Sequence, residues 1–471
     1  MPFTDQRRAL VRKLEQLEGA ILWDASYEKD YLCPDDEAAL RYAFALARIS
    51  AVPVGKDVVD IGYSTDRYRN KLHALVAPAY EAASYPESAV GHVIPELRKL
   101  AREEREALLE LFGPRLPEDA LERALRHRPF GLALGGGGGV AYVFLGAFAL
   151  MHEAGLVPDL IAGTSMGSIL GAFRALEREF RPTTVREVIG NLQWRDLLRV
   201  FESGSRFGLP ATFKLFLRNG IGRHFERDGR MLNLDEMAIP YRVVVGGISA
   251  AHLGDVNRYA NLIDASEAHE RKRWPIERIA RALAEILQKP LKTIVLGGDE
   301  LTRDFDVVDA LGFSSSVPAI VHYDILREDP RMIEKVEALL QREGVARLVD
   351  GGVVDNLPAR AVWEAVQGGA IGARDPFVLA LDAFAPRIEF DSNVLFLPLM
   401  RLAAETSKTG YAVAHHVVSF RDVLSPLTVV PTEAQVAKAI ATGRAQFEKH
   451  LPFVQKMLSP VPRGEGIVGE S

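Results

Sequence analysis

The pattern of apolar and polar positions changes character near residue 130. Over residues 5–128 the apolar positions fall among charges at helical spacing. In RKLAREEREALLELF (98–112), Leu100, Leu108, Leu109 and Leu111 sit among acidic and basic residues, as a partly exposed helix requires. Pro114, Pro117 and Pro129 then punctuate the chain. Beyond them come short runs that are apolar without alternation: FGLAL (130–134), DLIAG (159–163), YRVVVGG (241–247), KTIVLGG (292–298), ARLVD (346–350) and FVLALDAF (377–384). Strands of that kind belong to a parallel sheet covered on both faces. VAYVFLGAFALMHEAG (140–155) reads as a helix closed by Gly155, and TEAQVAKAIATGRAQFEKHL (432–451) as a second. The predicted organisation is a helical extension over 1–128, an α/β domain over 129–455 and a flexible tail over 456–471.

Composition narrows the classes of function. A formal charge of −6 gives no basic footprint for nucleic acid. The single cysteine, Cys33, excludes an internal disulfide and a cysteine-based metal cluster. The N-terminus, MPFTDQRRALVRKLEQLEGA, lacks the apolar core of a secretory leader, and no run of eighteen apolar residues occurs. A cytoplasmic chain whose contact with lipid is peripheral is the expectation.

Gly163-Thr164-Ser165-Met166-Gly167 is a G-x-S-x-G nucleophile elbow lying after a predicted strand and before a helix. Its serine sits in a strained turn where side chains two positions away would collide with backbone, so both flanks are glycine. Asp350-Gly351-Gly352 follows another apolar run, where an aspartate can project into a site at the carboxyl edge of a sheet. Taken alone, such a triplet is more often a turn.

Five consecutive glycines, Gly135 to Gly139, separate the first strand from the helix after it. A phosphate-binding P-loop needs a lysine and a hydroxyl residue that this stretch lacks. A dinucleotide fingerprint is formally present as Gly136, Gly138 and Ala141, but its acidic residue should close the second strand and Asp159 opens it. The remaining reading is an oxyanion hole, in which successive backbone N–H groups point at a developing negative charge.

In combination, LGGGGGVAYVFLGAFALMHEAGL, GTSMGS, FSSSVPAI (313–320) and DGGVVDNLP resemble the patatin-like phospholipase family, with the motifs in the family's order across roughly residues 130–450. The resemblance implies a patatin-like three-layer α/β fold with a mostly parallel central sheet, carrying a Ser–Asp dyad rather than a triad. It implies Ser165 as nucleophile, Asp350 as base, and backbone N–H groups at Gly136, Gly137 and Gly138 as oxyanion donors, with Gly163, Gly167, Gly351 and Gly352 supporting the turns. The implied substrate is a lipid acyl ester met at a membrane surface, with no metal or other cofactor. One departure stands out: the family has Arg or Lys and then Gly after its glycine run, where this chain has Val140 and Ala141. The missing cation leaves room for neutral esters.

Two rival readings accompany this one. A catalytically silent lipid-binding or scaffold protein could keep the same fold. A Ser–His–Asp esterase would draw on His415, His416 or His450, all of which follow Asp350. The mostly apolar setting of TGYAVAHHVVSF instead suits core or interface histidines, and His152 reads as a partly exposed surface residue. ATFKLFLRNGIGRHF (211–225) reads as an amphipathic helix packed on the core, with an interfacial lid as the alternative. ERKRWP (270–275) reads as a solvated face ending at proline.

Overall fold

In a computed structural model of the chain, which describes residues 5–28, 31–81, 86–181, 188, 192–200, 205–268, 276–325, 327–384 and 396–464, the change of pattern near residue 130 is a change of architecture. Two compact units result. One runs to Phe130 and takes in Val366–Phe377 and the chain from Lys449; the other comprises Gly131–Ala365 and Val378–Glu448.

The first unit is mainly helical, with helices at Asp5–Tyr27, Pro34–Arg48, Asp66–Glu81, Pro86–Phe112, Glu118–Arg126 and Leu451–Leu458. Its interior holds charges as well as apolar side chains. Arg48 meets Glu18 at 2.7 Å, and Arg128 meets Glu15 at 3.0 Å, all largely buried. Buried ions persist only when paired in this way. Residues 456–464, assigned to a flexible tail from the sequence, are structured and hydrogen-bonded. Residues 456–458 close a helix, Val461 N–H donates to Arg126 O at 2.9 Å, and Gly464 N–H donates to Glu122 at 2.9 Å.

The second unit is built on a seven-stranded sheet in a three-layer α/β arrangement. Numbered along the chain, its strands are β1 (Phe130–Leu134), β2 (Leu160–Thr164), β3 (Tyr241–Ser249), β4 (Leu291–Leu296), β5 (Val345–Asp350), β6 (Phe377–Asp382) and β7 (His416–Ser419). The spatial order is β4-β3-β2-β1-β6-β7. Pairs β1–β2, β2–β3 and β6–β7 are parallel, as expected. Both β4 and β5, however, run antiparallel to β3. Burial on both faces makes a strand uniformly apolar whatever its direction, so the pattern is blind to this.

β3 is long enough to serve two strands along one edge. β2 pairs with its first half, ending with Thr164 opposite Val244. β5 comes from the other direction along the second half, ending with Asp350 opposite Val245. β4 occupies the opposite edge over Val243–Ile248. The carboxyl ends of β2 and β5 therefore meet head to head.

The helices α1 (Phe144–Glu153), α2 (Met166–Ala175), α3 (Val307–Ser314), α4 (Phe396–Val413) and α5 (Glu433–Phe447) belong to the same unit. A 3-10 turn at Gly138–Val143 precedes α1 where the sequence suggests continuous helix, and Gly155, at φ +69°, closes the segment as expected. α1 and α5 cross at glycine: a methyl on Gly443 would overlap the carbonyl oxygen of Val143, and one on Gly146 that of Ile440. Gly443→Ala would gain about 1 kcal/mol of helix propensity, but overpacking against immobile backbone costs about 1–3 kcal/mol or more. The expected outcome is a net loss of stability, read as a lower urea midpoint.

Residues 211–225 are not one amphipathic helix. Ala211–Leu215 is a strand, parallel to Ala319–His322 and antiparallel to Leu198–Val200; only Leu217–Ile221 is α-helical. The aromatic residues have partners, with Phe213 edge-on to Trp194 at 6.2 Å and Arg199 over the Phe216 ring at 4.3 Å. ERKRWP (270–275) lies outside the described residues. Among those described, no helix is long and apolar enough to cross a membrane.

Candidate active site

Ser165 stands in the turn between β2 and α2 at φ +51°, ψ −130°, a conformation that L side chains rarely adopt. Its flanking glycines are there for the steric reason the motif suggests. A Cβ on Gly163 would lie 2.5 Å from Ser168 Cα and 2.8 Å from Gly167 O. One on Gly167 would overlap Gly135 O and come within 2.6 Å of Leu134 O. The turn is fastened from the helix side, where Ser168 N–H and Ser168 Oγ donate to Ser165 O at 2.8 and 2.6 Å.

Asp350 ends β5 facing this turn. Ser165 and Asp350 are 7% and 5% exposed, so both are largely shielded from water where the two strands end. Asp350 Oδ1 accepts the Gly352 N–H at 2.7 Å. Burial pushes the Asp350 carboxyl up to about 6, against the opposing pull of the Ser165 hydroxyl and the Gly352 N–H, which favour the ionised form. Gly351 leaves no room for a side chain, since its Cβ would overlap Val244 O.

This titration has a consequence for stability. The carboxyl takes its proton near pH 6 when folded and near 3.8 when exposed. The native state therefore binds more protons between those values, and stability falls as pH rises through that window. Asp350→Asn is expected to raise stability at pH 8 by on the order of 2–3 kcal/mol and to have little effect near pH 4, measured by urea unfolding at both values.

The glycine run lies against the serine. A Cβ on Gly136 would touch Ser165 Cβ at 3.0 Å and Asn356 Oδ1 at 2.8 Å. Gly135 N–H donates to Leu381 O at 3.0 Å, Gly136 N–H to Asn356 O at 3.1 Å, and Gly139 N–H to Pro426 O at 3.0 Å. This corrects one expectation: the Gly136 N–H is engaged within the protein and is not free to receive an oxyanion. The Gly137 and Gly138 N–H groups have no acceptor among the described residues. These two glycines also take φ of +137° and +61°, backbone conformations that L side chains rarely adopt. Val140 and Ala141 are buried, so the positions where the family carries Arg or Lys and Gly are given over to packing.

The geometry adds residues that motif reading does not single out. Asn356 presents its amide between the glycine run and the Asp350 turn, with Nδ2 donating to Ser407 Oγ at 3.2 Å from α4. Thr164 Oγ1 donates to Asp355 O at 2.9 Å, joining the serine turn to the same loop. FSSSVPAI contributes at two points, since Ser314 Oγ accepts the Ser165 N–H at 2.9 Å and Ser316 O accepts the Asp350 N–H at 2.9 Å. The sequence alone gives this segment no role, because its partners are distant along the chain.

The histidines have structural employment. His415 N–H donates to Val378 O at 2.9 Å, and its Nδ1 accepts the Val378 N–H at 2.9 Å. His416 opens β7 opposite Leu379, His152 is half-buried on α1, and His450 packs on Trp23 at 5.8 Å in the helical unit. No histidine figures among the groups that set the Asp350 titration. Among the described residues, no cluster of three or more His, Cys, Asp and Glu could hold a metal ion.

Comparison with known proteins matches residues 132–363 to the family described as patatin-like phospholipase, a span containing the glycine run, Ser165 and Asp350. Those residues are a patatin-like phospholipase domain. Patatin-like phospholipase domain-containing protein 6 of Homo sapiens is 30% identical over 132 residues, 28% of this chain and 9% of that protein. Its counterpart from Mus musculus matches equally. Lysophospholipase nte1 of Aspergillus fumigatus is 42% identical over 62 residues, 13% of this chain and 4% of that protein. The chain thus spans less than a tenth of the length of these relatives, and the likeness is one of the patatin domain.

Proposed function

We propose that the patatin domain hydrolyses carboxylic esters of phospholipids or lysophospholipids through a Ser165–Asp350 dyad. The observation that carries this reading is the head-to-head ending of β2 and β5 on one edge of β3, which sets the Ser165 hydroxyl against a buried carboxylate. The names of the relatives point to phospholipid and lysophospholipid esters, and the lack of a cation at Val140 leaves room for neutral acyl esters.

Ser165 Oγ attacks the ester carbonyl carbon while its proton passes to Asp350. The carbonyl oxygen becomes an oxyanion, received by the N–H groups of Gly137 and Gly138. Collapse breaks the bond to the alcohol, which leaves with the proton from Asp350, and an acyl-serine remains. Water then attacks this ester with Asp350 taking its proton, and Ser165 recovers a proton as the fatty acid departs. A carboxylate of ordinary basicity is a weak base for a hydroxyl group; burial raises its basicity, and the two amides stabilise the charge that forms.

The test is a hydrolysis panel of phospholipid, lysophospholipid and triacylglycerol, run beside Ser165→Ala. Fatty-acid release by the unaltered chain and its loss in the variant support the reading; equal release by both overturns it. Since Asp350 must be ionised to act, kcat/KM is expected to fall as pH drops through about 6, close to tenfold per pH unit below that. A profile flat from pH 5 to 8 contradicts the base assignment.

A further inference from the structure

The ladder between β2 and β3 contains an irregular rung. Ile161 N–H donates to Pro240 O at 3.0 Å, which fixes the alternation of this parallel pair. Advancing two residues at a time on each strand makes Arg242 O the acceptor in line for Gly163 N–H, and Val244 O the acceptor in line for Ser165 N–H. That last bond is not made directly. The Ser165 N–H donates to Ser314 Oγ at 2.9 Å, and the Ser314 hydroxyl donates its own proton to Val244 O at 2.6 Å. A side-chain hydroxyl has been inserted into the rung.

We infer that Ser314 is a positioning residue for the dyad: its hydroxyl spaces the end of β2 from β3 and fixes the strained Ser165 backbone opposite Asp350. The spacing has a use. Asp350 and Gly351 arrive at this point on β3, and Gly351 already lies so close to Val244 O that a Cβ would overlap it. A direct rung would draw the serine turn toward β3 at the place the base occupies. Inserting one oxygen satisfies both backbone groups, which are buried and would otherwise lack partners, and holds the two strand ends apart.

The element carrying Ser314 is itself fastened. α3 ends at Ser314, and two residues later Ser316 O accepts the Asp350 N–H, so one short segment holds both members of the dyad. At the other end of α3, Asp306 is bound by Arg218 at 2.7 Å and Arg327 at 2.8 Å, while Asp309 accepts from Tyr323 Oη at 2.5 Å and Arg327 at 2.7 Å. Gly312 leaves the Tyr323 ring directly against the helix. Ser314 is thus held by a rigid frame rather than by a loop.

This role rests on the ester-hydrolase reading above, and the test separates the two. The unaltered chain, Ser314→Ala, Ser314→Thr and Thr302→Val are assayed with p-nitrophenyl butyrate, together with amide exchange at Ser165. Thr302 is the control, a fully buried hydroxyl that also bridges a backbone N–H (Gly297, 3.1 Å) and an acceptor (Asp299, 3.0 Å) outside the site. The expected result for Ser314→Ala is a kcat lower by roughly 30-fold with KM within about twofold, and faster exchange at Ser165. Ser314→Thr keeps the hydroxyl and is expected to recover most of kcat, so the test stands even if the alanine variant folds poorly. Thr302→Val is expected to keep kcat within about twofold despite its loss of stability. A folded Ser314→Ala with unchanged kcat, or an equal loss in Thr302→Val, overturns the assignment. No turnover by the unaltered chain overturns the hydrolase reading and the role built on it, while unchanged exchange at Ser165 in Ser314→Ala overturns the inserted rung itself.

Discussion

Asp350→Asn is expected to lower kcat by about a thousandfold while leaving a folded and, at pH 8, more stable protein. The asparagine keeps an oxygen for the Gly352 N–H, so the turn after β5 has no reason to change. It cannot take the proton from Ser165. Removing a general base typically forfeits about 10²–10⁴ in rate, and no histidine figures among the groups that set the Asp350 titration. The opposite signs of the two effects are informative. An aspartate retained for structure would lose stability on replacement; one held buried for chemistry gains it. Steady-state kinetics on a short soluble ester, paired with urea unfolding at pH 8, reads both. A variant with near-full kcat would transfer the base assignment elsewhere.

Gly138→Ala is expected to lower kcat by about a hundredfold, close to the loss of one oxyanion donor. The residue is at φ +61°, which alanine tolerates at a modest cost, but its methyl would overlap the carbonyl oxygen of Pro426. The loop must then shift, and it carries the two amides proposed as donors. The sheet beneath is anchored independently, through Gly135 N–H to Leu381 O and Gly136 N–H to Asn356 O. A folded protein with an intact serine and a poor transition state is therefore the expected product. Unchanged kcat in that variant contradicts the placing of the donors in this loop.

Legibility in the sequence followed the range of the interactions involved. The serine turn was legible because its spacing is a short motif: Gly163 is excluded from bearing a side chain by Gly167 and Ser168 just beyond it, although Gly167 is excluded by Leu134 and Gly135 at the end of the neighbouring strand β1. The glycine run was legible as a tight loop between strand and helix, but the engagement of the Gly136 N–H was not, since its acceptor belongs to Asn356, far along the chain. Asp350 could be located at a strand end, yet the antiparallel approach of β5 that brings it to Ser165 leaves no trace in an all-apolar run. Residues 211–225 misled because a short segment mixing phenylalanine with basic residues fits either period, and the pairing partner, Ala319–His322, decided for strand. Ser314 and Ser316 were visible only as small residues before a proline. Their work is defined by three strands and a helix that fold around them.

The most direct test is covalent labelling with a fluorophosphonate, followed by mass spectrometry of the modified peptide. The dyad account predicts one adduct, on Ser165, formed faster as pH rises through about 6, absent in Ser165→Ala and strongly slowed in Asp350→Asn. An adduct on another residue, no adduct at any pH, or labelling of Asp350→Asn at the unaltered rate would contradict it.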